Sequence, residues 1–189
     1  MALAARDHKK MTAEEFFATT DEQPRAQLID GELVVVNSPA ARHNRVINRL
    51  LRLYWSHADS HPGCGEVGTS GDVAIGEHNV FVPDLWWVPD ERRLADDESR
   101  FATPPSLVVE VRSPSTWRFD VGPKLRLYEA AGVAEVWLVD TAADVVLAYR
   151  RSRADAPTFD VALELTGDDT LTTPLVPGWS IDLGALFGR

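Results

Sequence analysis

The apolar positions of the chain change their period several times, and each period predicts a different element. Two apolar runs on either side of Asp30-Gly31 in "AQLIDGELVVV" predict a β-hairpin, because this dipeptide favours a two-residue turn. Helical spacing in "SPAARHNRVINRLLRLYWSHA" predicts a long amphipathic helix whose arginines lie on the outer side. β-branched runs then predict strands in "GEVGTSGDVAIG", "NVFVPDLWWVP" and "SLVVEVRS", the second of them interrupted by Pro83.

The second half of the chain predicts one more helix and a β-rich tail. Helical spacing returns in "FDVGPKLRLYEAAG", which ends at Gly132, and "AEVWLVD" is typical of a buried strand. "ADVVLAYRRS" and "TFDVALEL" predict an antiparallel pair. Before all of this, Thr12 and Glu15 predict a capping box at the start of a short helix. The order predicts an α+β (mixed α/β) fold in one domain, 1–189, with a central mixed β-sheet flanked by helices.

One carboxylate conflicts with this pattern. Glu110 lies inside the apolar run of "SLVVEVRS". Burying an unpaired carboxylate there would destabilise the fold by roughly several kcal/mol, because the group loses its hydration. Because side chains alternate along a strand, Glu110 shares a face with Val108, and Asp84 shares a face with Trp86 in the preceding strand. Two carboxylates on neighbouring strands repel each other. A divalent cation such as Mg²⁺, which takes oxygen ligands, is the simplest group to hold them together.

A lysine follows on the next helix. Asp120 and Lys124 are four residues apart, so they share one helix face near its N-terminus. Lys124 is therefore placed to lean toward Glu110, where it would orient a water or stabilise charge in a phosphorane-like transition state. Structural interpretations stay open: Glu110 paired with Arg112, Asp84 as a turn acid, and Asp120 as a helix N-terminal acid.

Composition changes the picture in two ways. The 189 residues, with 44% hydrophobic and 25% charged, suit one soluble domain with a sizeable core. There is no run of 18 apolar residues, no apolar signal core at the N-terminus, and only one cysteine, Cys64, so we expect a cytoplasmic protein. The net charge of −10 argues against strong non-specific attraction to nucleic acid. The net charge still allows a local basic groove, for which the long helix offers an arginine cluster: Arg42, Arg45, Arg49 and Arg52.

Three segments together resemble a known family. "VPD" at 82–84, "VVEVRSPSTWRFDVGPKLRLYEAAGVAEVWLVD" at 108–140, and "LIDGELVVVNSP" at 28–39, with His43 after it, resemble the Uma-two family of restriction endonucleases. That family belongs to the PD-(D/E)XK nuclease superfamily. The resemblance spans most of residues 28–140 and implies a restriction-endonuclease-like core with helix, three strands, helix and strand in that order.

The resemblance also implies roles for individual residues. Asp84 and Glu110 would be the metal-binding acids, with the backbone carbonyl of Val111 as a further ligand and Glu32 as an additional acid. The superfamily has a lysine two residues after the strand glutamate, and this chain has Arg112 at that position. The pattern of the Uma-two family is similar to this chain, because it places a lysine on the following helix, here Lys124. Two positions keep a second interpretation, since Glu32 lies beside the hairpin turn and a surface role suits His43.

The sequence therefore predicts a Mg²⁺-dependent endonuclease acting on nucleic acid, with DNA as the expected substrate and Mn²⁺ as a possible substitute metal. Cutting both strands of a duplex would suit a two-fold homodimer. The alternative is a catalytically inactive protein that keeps the nuclease fold and serves as a binding or regulatory module, because a fold does not fix a function.

Overall fold

The computed structural model describes residues 9–19 and 26–188. The helices are α1 (Ala13–Thr19), α2 (Ala41–Ala58), α3 (Trp117–Phe119), α4 (Leu125–Ala130) and α5 (Leu183–Phe187), with a 3₁₀ turn at Asp90–Arg92 and a π-helical turn at Asp120–Lys124. The strands are β1 (Ala26–Ile29), β2 (Glu32–Val35), β3 (Glu66–Gly68), β4 (Asp72–Ala74), β5 (Val80–Phe81), β6 (Leu85–Val88), β7 (Arg100–Phe101), β8 (Leu107–Val111), β9 (Glu135–Asp140), β10 (Val145–Arg150), β11 (Val161–Leu165), β12 (Thr170–Thr172) and β13 (Ser180–Asp182).

A six-stranded mixed sheet forms the centre of the fold, in the order β11-β10-β9-β8-β6-β3. β8 and β9 are parallel, and the remaining neighbours are antiparallel. The chain adds α2, β3, β6, β8, the helical segment from α3 to α4, and β9 in that order. This is the helix, three strands, helix and strand that the resemblance implies, and the mixed α+β class is confirmed.

The single strands predicted within 65–76 and 79–89 are wrong, because each is broken into two strands that belong to different sheets. β3 and β6 lie in the six-stranded sheet, whereas β4 and β5 join a second, five-stranded sheet in the order β2-β1-β5-β4-β7. Pro83 has no N–H to continue a ladder, and Ser70 and Gly71 adopt φ values of +64° and +112° at the other break. These two breaks let the chain pass between the sheets.

Several local predictions are confirmed. Asp30 and Gly31 connect β1 and β2 with φ values of +51° and +78°, the left-handed backbone that a tight two-residue hairpin turn requires. In the capping box of α1, the Glu15 N–H donates to Thr12 Oγ1 over 3.1 Å, and the Thr12 N–H donates to Glu15 Oε2 over 2.9 Å. The tail forms the predicted pair of β10 and β11, followed by a small hairpin of β12 and β13.

The six-stranded sheet has a different core on each face. Leu107, Val109 and Val111 of β8 pack on one side against a cluster that contains residues of α2 and α5. Val108 points to the other side, toward the five-stranded sheet and α4. Glu110 shares that second face by strand alternation, which places its carboxylate between the two sheets. Within the described residues no helix is both long enough and apolar enough to span a bilayer.

Candidate active site

The pairing of β6 with β8 brings Asp84 beside Glu110. Leu85 pairs with Val109 and Trp86 with Val108, so Asp84, which directly precedes β6, continues the antiparallel register opposite Glu110. Trp86 and Val108 belong to the same core cluster. By strand alternation, Asp84 and Glu110 therefore lie on the same face of the sheet as these two residues. Both acids line one cavity of about 550 Å³.

Two hydrogen bonds hold the Asp84 carboxylate in place. The Val111 N–H, two residues beyond the last β8 residue paired with β6, donates to Asp84 Oδ2 over 2.7 Å. The buried His43 ring from the first turn of α2 places its Nε2 3.1 Å from the same oxygen. Both bonds go to Oδ2, so within the described part of the chain Oδ1 is left as an acceptor without a hydrogen-bond donor.

The second carboxylate belongs to a buried ionic network. Lys124 Nζ lies 2.7 Å from Glu110 Oε1 and 3.0 Å from Asp120 Oδ1. Lys124 is only 1% exposed and Glu110 only 3%, and the Tyr128 hydroxyl donates to Glu110 Oε1 over 2.8 Å. Thr116 Oγ1 donates to the other oxygen of Asp120 over a longer 3.4 Å. Charges are buried at this density only when they are paired, and here one ammonium holds two carboxyl groups.

The helix that carries the lysine is irregular where it meets the strand. Pro123 lacks an N–H, and the segment Asp120–Lys124 forms a π-helical turn between α3 and α4. Asp120, Lys124 and Tyr128 follow one another at intervals of four residues and therefore point to one side of the segment. That side faces Glu110, so the turn presents a cation and a hydroxyl to the same carboxylate.

Burial dominates the proton affinities of the two carboxyl groups in this network. It raises the pKa of Glu110 to about 8, against the opposing effect of Lys124, and the charges of Asp120 and Asp84 add to the rise. Burial likewise raises the pKa of Asp120, although Lys124 acts in the other direction. Lys124 carries one positive charge for two buried carboxyls. At neutral pH the network is therefore balanced when one of the two carboxyls keeps its proton.

For the two basic groups of the site, burial acts in the opposite direction and lowers the pKa, but the neighbouring acids outweigh it. Burial disfavours the charged form of Lys124, but the carboxylates of Glu110 and Asp120 outweigh burial and raise the pKa of the amine. For His43, burial lowers the pKa, while the hydrogen bond to Asp84 and the Asp84 charge overcome that effect, so the pKa of the ring is raised. The acids around the cavity thus favour the cationic form of both groups.

We expect the protein in EDTA to lose stability as the pH rises from about 4.5 to about 8. In this range Glu110 still holds its proton in the folded protein, whereas in the unfolded chain it has released it. The resulting stabilisation of the folded state is fully present below the pKa of Glu110 in the unfolded chain. It is lost as the pH rises through the pKa of Glu110 in the folded protein. Glu110→Gln removes this titration and should flatten that part of the profile. Melting temperatures across the range test this, and parallel profiles for the two proteins would contradict it.

Six of the sequence-predicted site residues line the cavity, and two do not. The six are His43, Asp84, Glu110, Val111, Asp120 and Lys124. Glu32 is exposed at the start of β2 and is not part of the cavity wall. Arg112 lies outside it as well, because its guanidinium donates to both oxygens of Asp140 on β9, over 2.9 and 2.7 Å. The alternative in which Arg112 pairs with Glu110 is therefore wrong, since Lys124 occupies that place.

Two polar residues of the site were missed by reasoning from the sequence. Tyr128 belongs to the helical pattern of "FDVGPKLRLYEAAG", and its spacing of four from Lys124 is the signal that could have identified it. Gln27 of β1 gave no signal in the sequence, since a lone glutamine in a hairpin strand is unremarkable. It is 8% exposed, lines the cavity, and has a side-chain oxygen without a hydrogen-bond partner among the described residues.

The oxygen donors at the cavity floor suit a hard divalent cation. Asp84 and Glu110 each have one carboxylate oxygen that takes no hydrogen bond from the described residues. No group of three or more His, Cys, Asp or Glu side chains with metal-binding geometry occurs in the described part of the chain. Mg²⁺ commonly binds through one or two carboxylates together with waters and phosphate oxygens. The donor set therefore fits Mg²⁺ or Mn²⁺ better than zinc, which usually takes three or four protein ligands.

Comparisons with known proteins identify similar chains. The model of the Uma2 family, described as "Putative restriction endonuclease", matches residues 13–184. Two uncharacterised proteins of Synechocystis sp. are similar, one 31% identical over 152 residues and covering 77% of each chain. The other is 25% identical over 132 residues, which is 69% of this chain and 75% of that protein. A crystal structure from Anabaena variabilis, described as a "putative nuclease belonging to DUF820", superimposes with a TM-score of 0.78 at 18% identity, covering 94% of this chain and 98% of that one.

Proposed function

The chain belongs to the Uma2 family of nuclease-like proteins, and from that premise we propose that it is a metal-dependent endonuclease that hydrolyses phosphodiester bonds in DNA. One observation carries the proposal. A single cavity brings together two carboxylates with unused oxygens and a buried lysine. This combination supplies the groups that phosphodiester hydrolysis needs, namely ligands for a cation and a fixed positive charge.

The cation would be Mg²⁺, with Mn²⁺ as a substitute, held by Asp84 and Glu110 and by the backbone carbonyl of Val111. A bound divalent ion neutralises charge on a phosphate and lowers the pKa of a coordinated water. The hydrogen bond from the Val111 N–H and the contact with His43 fix one oxygen of Asp84, so the other is held toward the cavity. The Tyr128 hydroxyl does the same for Glu110.

Lys124 has two functions in this proposal. Its ammonium has three N–H donors, of which Glu110 and Asp120 take two, so a third remains for a water or a phosphate oxygen. Its charge also favours the ionised form of Glu110, the form that binds a cation. Lys124 thus replaces the lysine that the superfamily carries on the strand, at the position taken here by Arg112.

A cleavage assay with the purified protein tests the proposal. The substrates are single-stranded DNA, duplex DNA and RNA, each incubated with Mg²⁺, Mn²⁺ or EDTA. We expect cleavage of DNA that requires a divalent ion and stops in EDTA. Cleavage of both strands of a duplex at one locus would further support a homodimeric form, which size-exclusion chromatography with light scattering measures. Binding of DNA without cleavage under any of these conditions would favour the alternative of an inactive nuclease fold acting as a binding module.

A further inference from the structure

The cavity extends well beyond the acids and changes character along its length. At the floor lie the charged groups, and Lys124 and Glu110 are almost wholly buried there. The remaining wall is formed largely by apolar and uncharged polar side chains of β1, α2 and the loops beside them, among them Gln27, Ile47 and Asn48. Its volume of about 550 Å³ is within the range of about 300–1,000 Å³ typical of small-molecule sites.

Gln27 is the unusual residue of this wall. A buried amide oxygen without a donor destabilises a folded protein, and native structures usually satisfy such groups. The side-chain oxygen of Gln27 is buried and has no partner within residues 9–19 and 26–188, although the side chain lies in the wall of an accessible cavity. An amide offers an acceptor and a donor side by side, the pattern with which Asn and Gln recognise the edge of a nucleobase.

The burial of the floor limits the form in which a nucleic acid can enter. A phosphate on the surface of a stacked duplex cannot approach Lys124, which is 1% exposed, unless the strand itself moves into the cavity. Enzymes whose pockets enclose a single base take it from a single strand or flip it out of the stack, and a pocket of this depth calls for the same form of substrate. The net charge of −10 also gives a duplex little general attraction to the protein.

We propose that the cavity takes one unpaired nucleotide, with its phosphate at the acids and Lys124 and its base read by Gln27. The phosphate position rests on the proposed function, whereas the recognition of the base by Gln27 does not depend on cleavage. Gln27 is thus a specificity-determining residue on β1 and is not one of the groups that carry the chemistry.

The test compares Gln27→Met, which keeps the size of the side chain but removes its polar atoms, with the wild type. Binding of the four 2′-deoxynucleoside 5′-monophosphates is measured by calorimetry in the presence of Mg²⁺. We expect the wild type to prefer one base over the weakest by about tenfold, as a hydrogen-bonded base edge provides, and Gln27→Met to lose most of that preference. A single-stranded oligonucleotide should displace the preferred nucleotide more effectively than a fully paired duplex of the same sequence.

Stability separates recognition from a structural role. Because Gln27 makes no bond through its buried oxygen to the described residues, Gln27→Met should melt at the same temperature as the wild type or higher. Thr173→Val is the matched control, since its buried hydroxyl donates to Glu135 over 2.6 Å and its loss should lower the melting temperature.

Each of four results would overturn the inference. In binding, these are equal affinity of the wild type for the four nucleotides, an unchanged preference in Gln27→Met, and stronger displacement by the duplex than by the single strand. In stability, it is a Gln27→Met melting temperature as low as that of Thr173→Val. A protein that cleaves DNA with a preference independent of Gln27 keeps the proposed function and loses this inference. A protein that shows a Gln27-dependent preference in binding and does not cleave DNA loses the proposed function and keeps this inference.

Discussion

Asp84→Asn is expected to abolish metal-dependent cleavage, by about a thousandfold or more, while the protein folds normally. Asparagine keeps the shape of the side chain, and its oxygen can still accept the Val111 N–H, but the negative charge offered to a cation is gone. Metal-induced stabilisation should be lost as well. For the wild type this stabilisation amounts to about 2.7 kcal/mol when the metal is at a hundred times its dissociation constant.

Asp72→Asn is the matched control for Asp84→Asn, because Asp72 lines the same cavity and the substitution makes the same change in charge. The measurement is a melting curve for each protein with Mg²⁺, Mn²⁺ and EDTA, beside a cleavage assay. Asp72→Asn should keep the metal response. If Asp84→Asn also keeps the wild-type response, Asp84 is not a ligand, and a binding role for the protein becomes the better conclusion. Equal losses in both variants would indicate general electrostatics of the cavity and no specific ligation.

Lys124→Met is expected to destabilise the folded protein by about 3–5 kcal/mol at neutral pH and to eliminate cleavage. The substitution preserves much of the side-chain volume but leaves Glu110 and Asp120 buried without their shared cation. Since protonation neutralises both carboxyls, the destabilisation should shrink as the pH is lowered. Urea unfolding curves at neutral and acidic pH give the difference in the free energy of unfolding.

Lys10→Met provides the comparison for an exposed pair. Lys10 also contacts a carboxylate, Asp30, but both side chains are more than half exposed to solvent. Exposed ion pairs contribute little to stability, so this variant should unfold almost as the wild type does. Were Lys124→Met no more destabilised than Lys10→Met, the network of Glu110, Lys124 and Asp120 would not carry the charges assigned to it.

Glu110→Gln is a less selective probe of metal binding than Asp84→Asn. The sequence alone predicts a like effect for the two substitutions, because both acids are expected metal ligands there. The structure distinguishes them, since Glu110 is paired with Lys124 and accepts from Tyr128, whereas the partners of Asp84 among the described residues are the Val111 N–H and the His43 ring. Loss of the Glu110 charge therefore changes the balance of the network as well as the ligand set.

The sequence predicted local features of the fold well, and it failed where the chain changes sheets. The hairpin at Asp30-Gly31 and the capping box at Thr12 depend on residues within a few positions of each other, and both are confirmed. Pro83 was recognised as an interruption of a strand. At Pro83 the chain passes from the five-stranded to the six-stranded sheet. This passage depends on which strands pair with β5 and β6, and those strands are distant in sequence, so periodicity does not predict it.

For the site, the sequence by itself determined which side chains share a face. Strand alternation put Asp84 and Glu110 with apolar residues, and a spacing of four put Asp120 beside Lys124, because side-chain direction follows from local backbone geometry. Only the tertiary structure decided which faces meet. Packing of the π-helical turn against β8 buried Lys124 beside Glu110, and the register of β9 gave Arg112 a partner of its own. Those contacts join residues distant in sequence, so they depend on how the faces of the sheets and helices pack together and cannot be read from spacing along the chain.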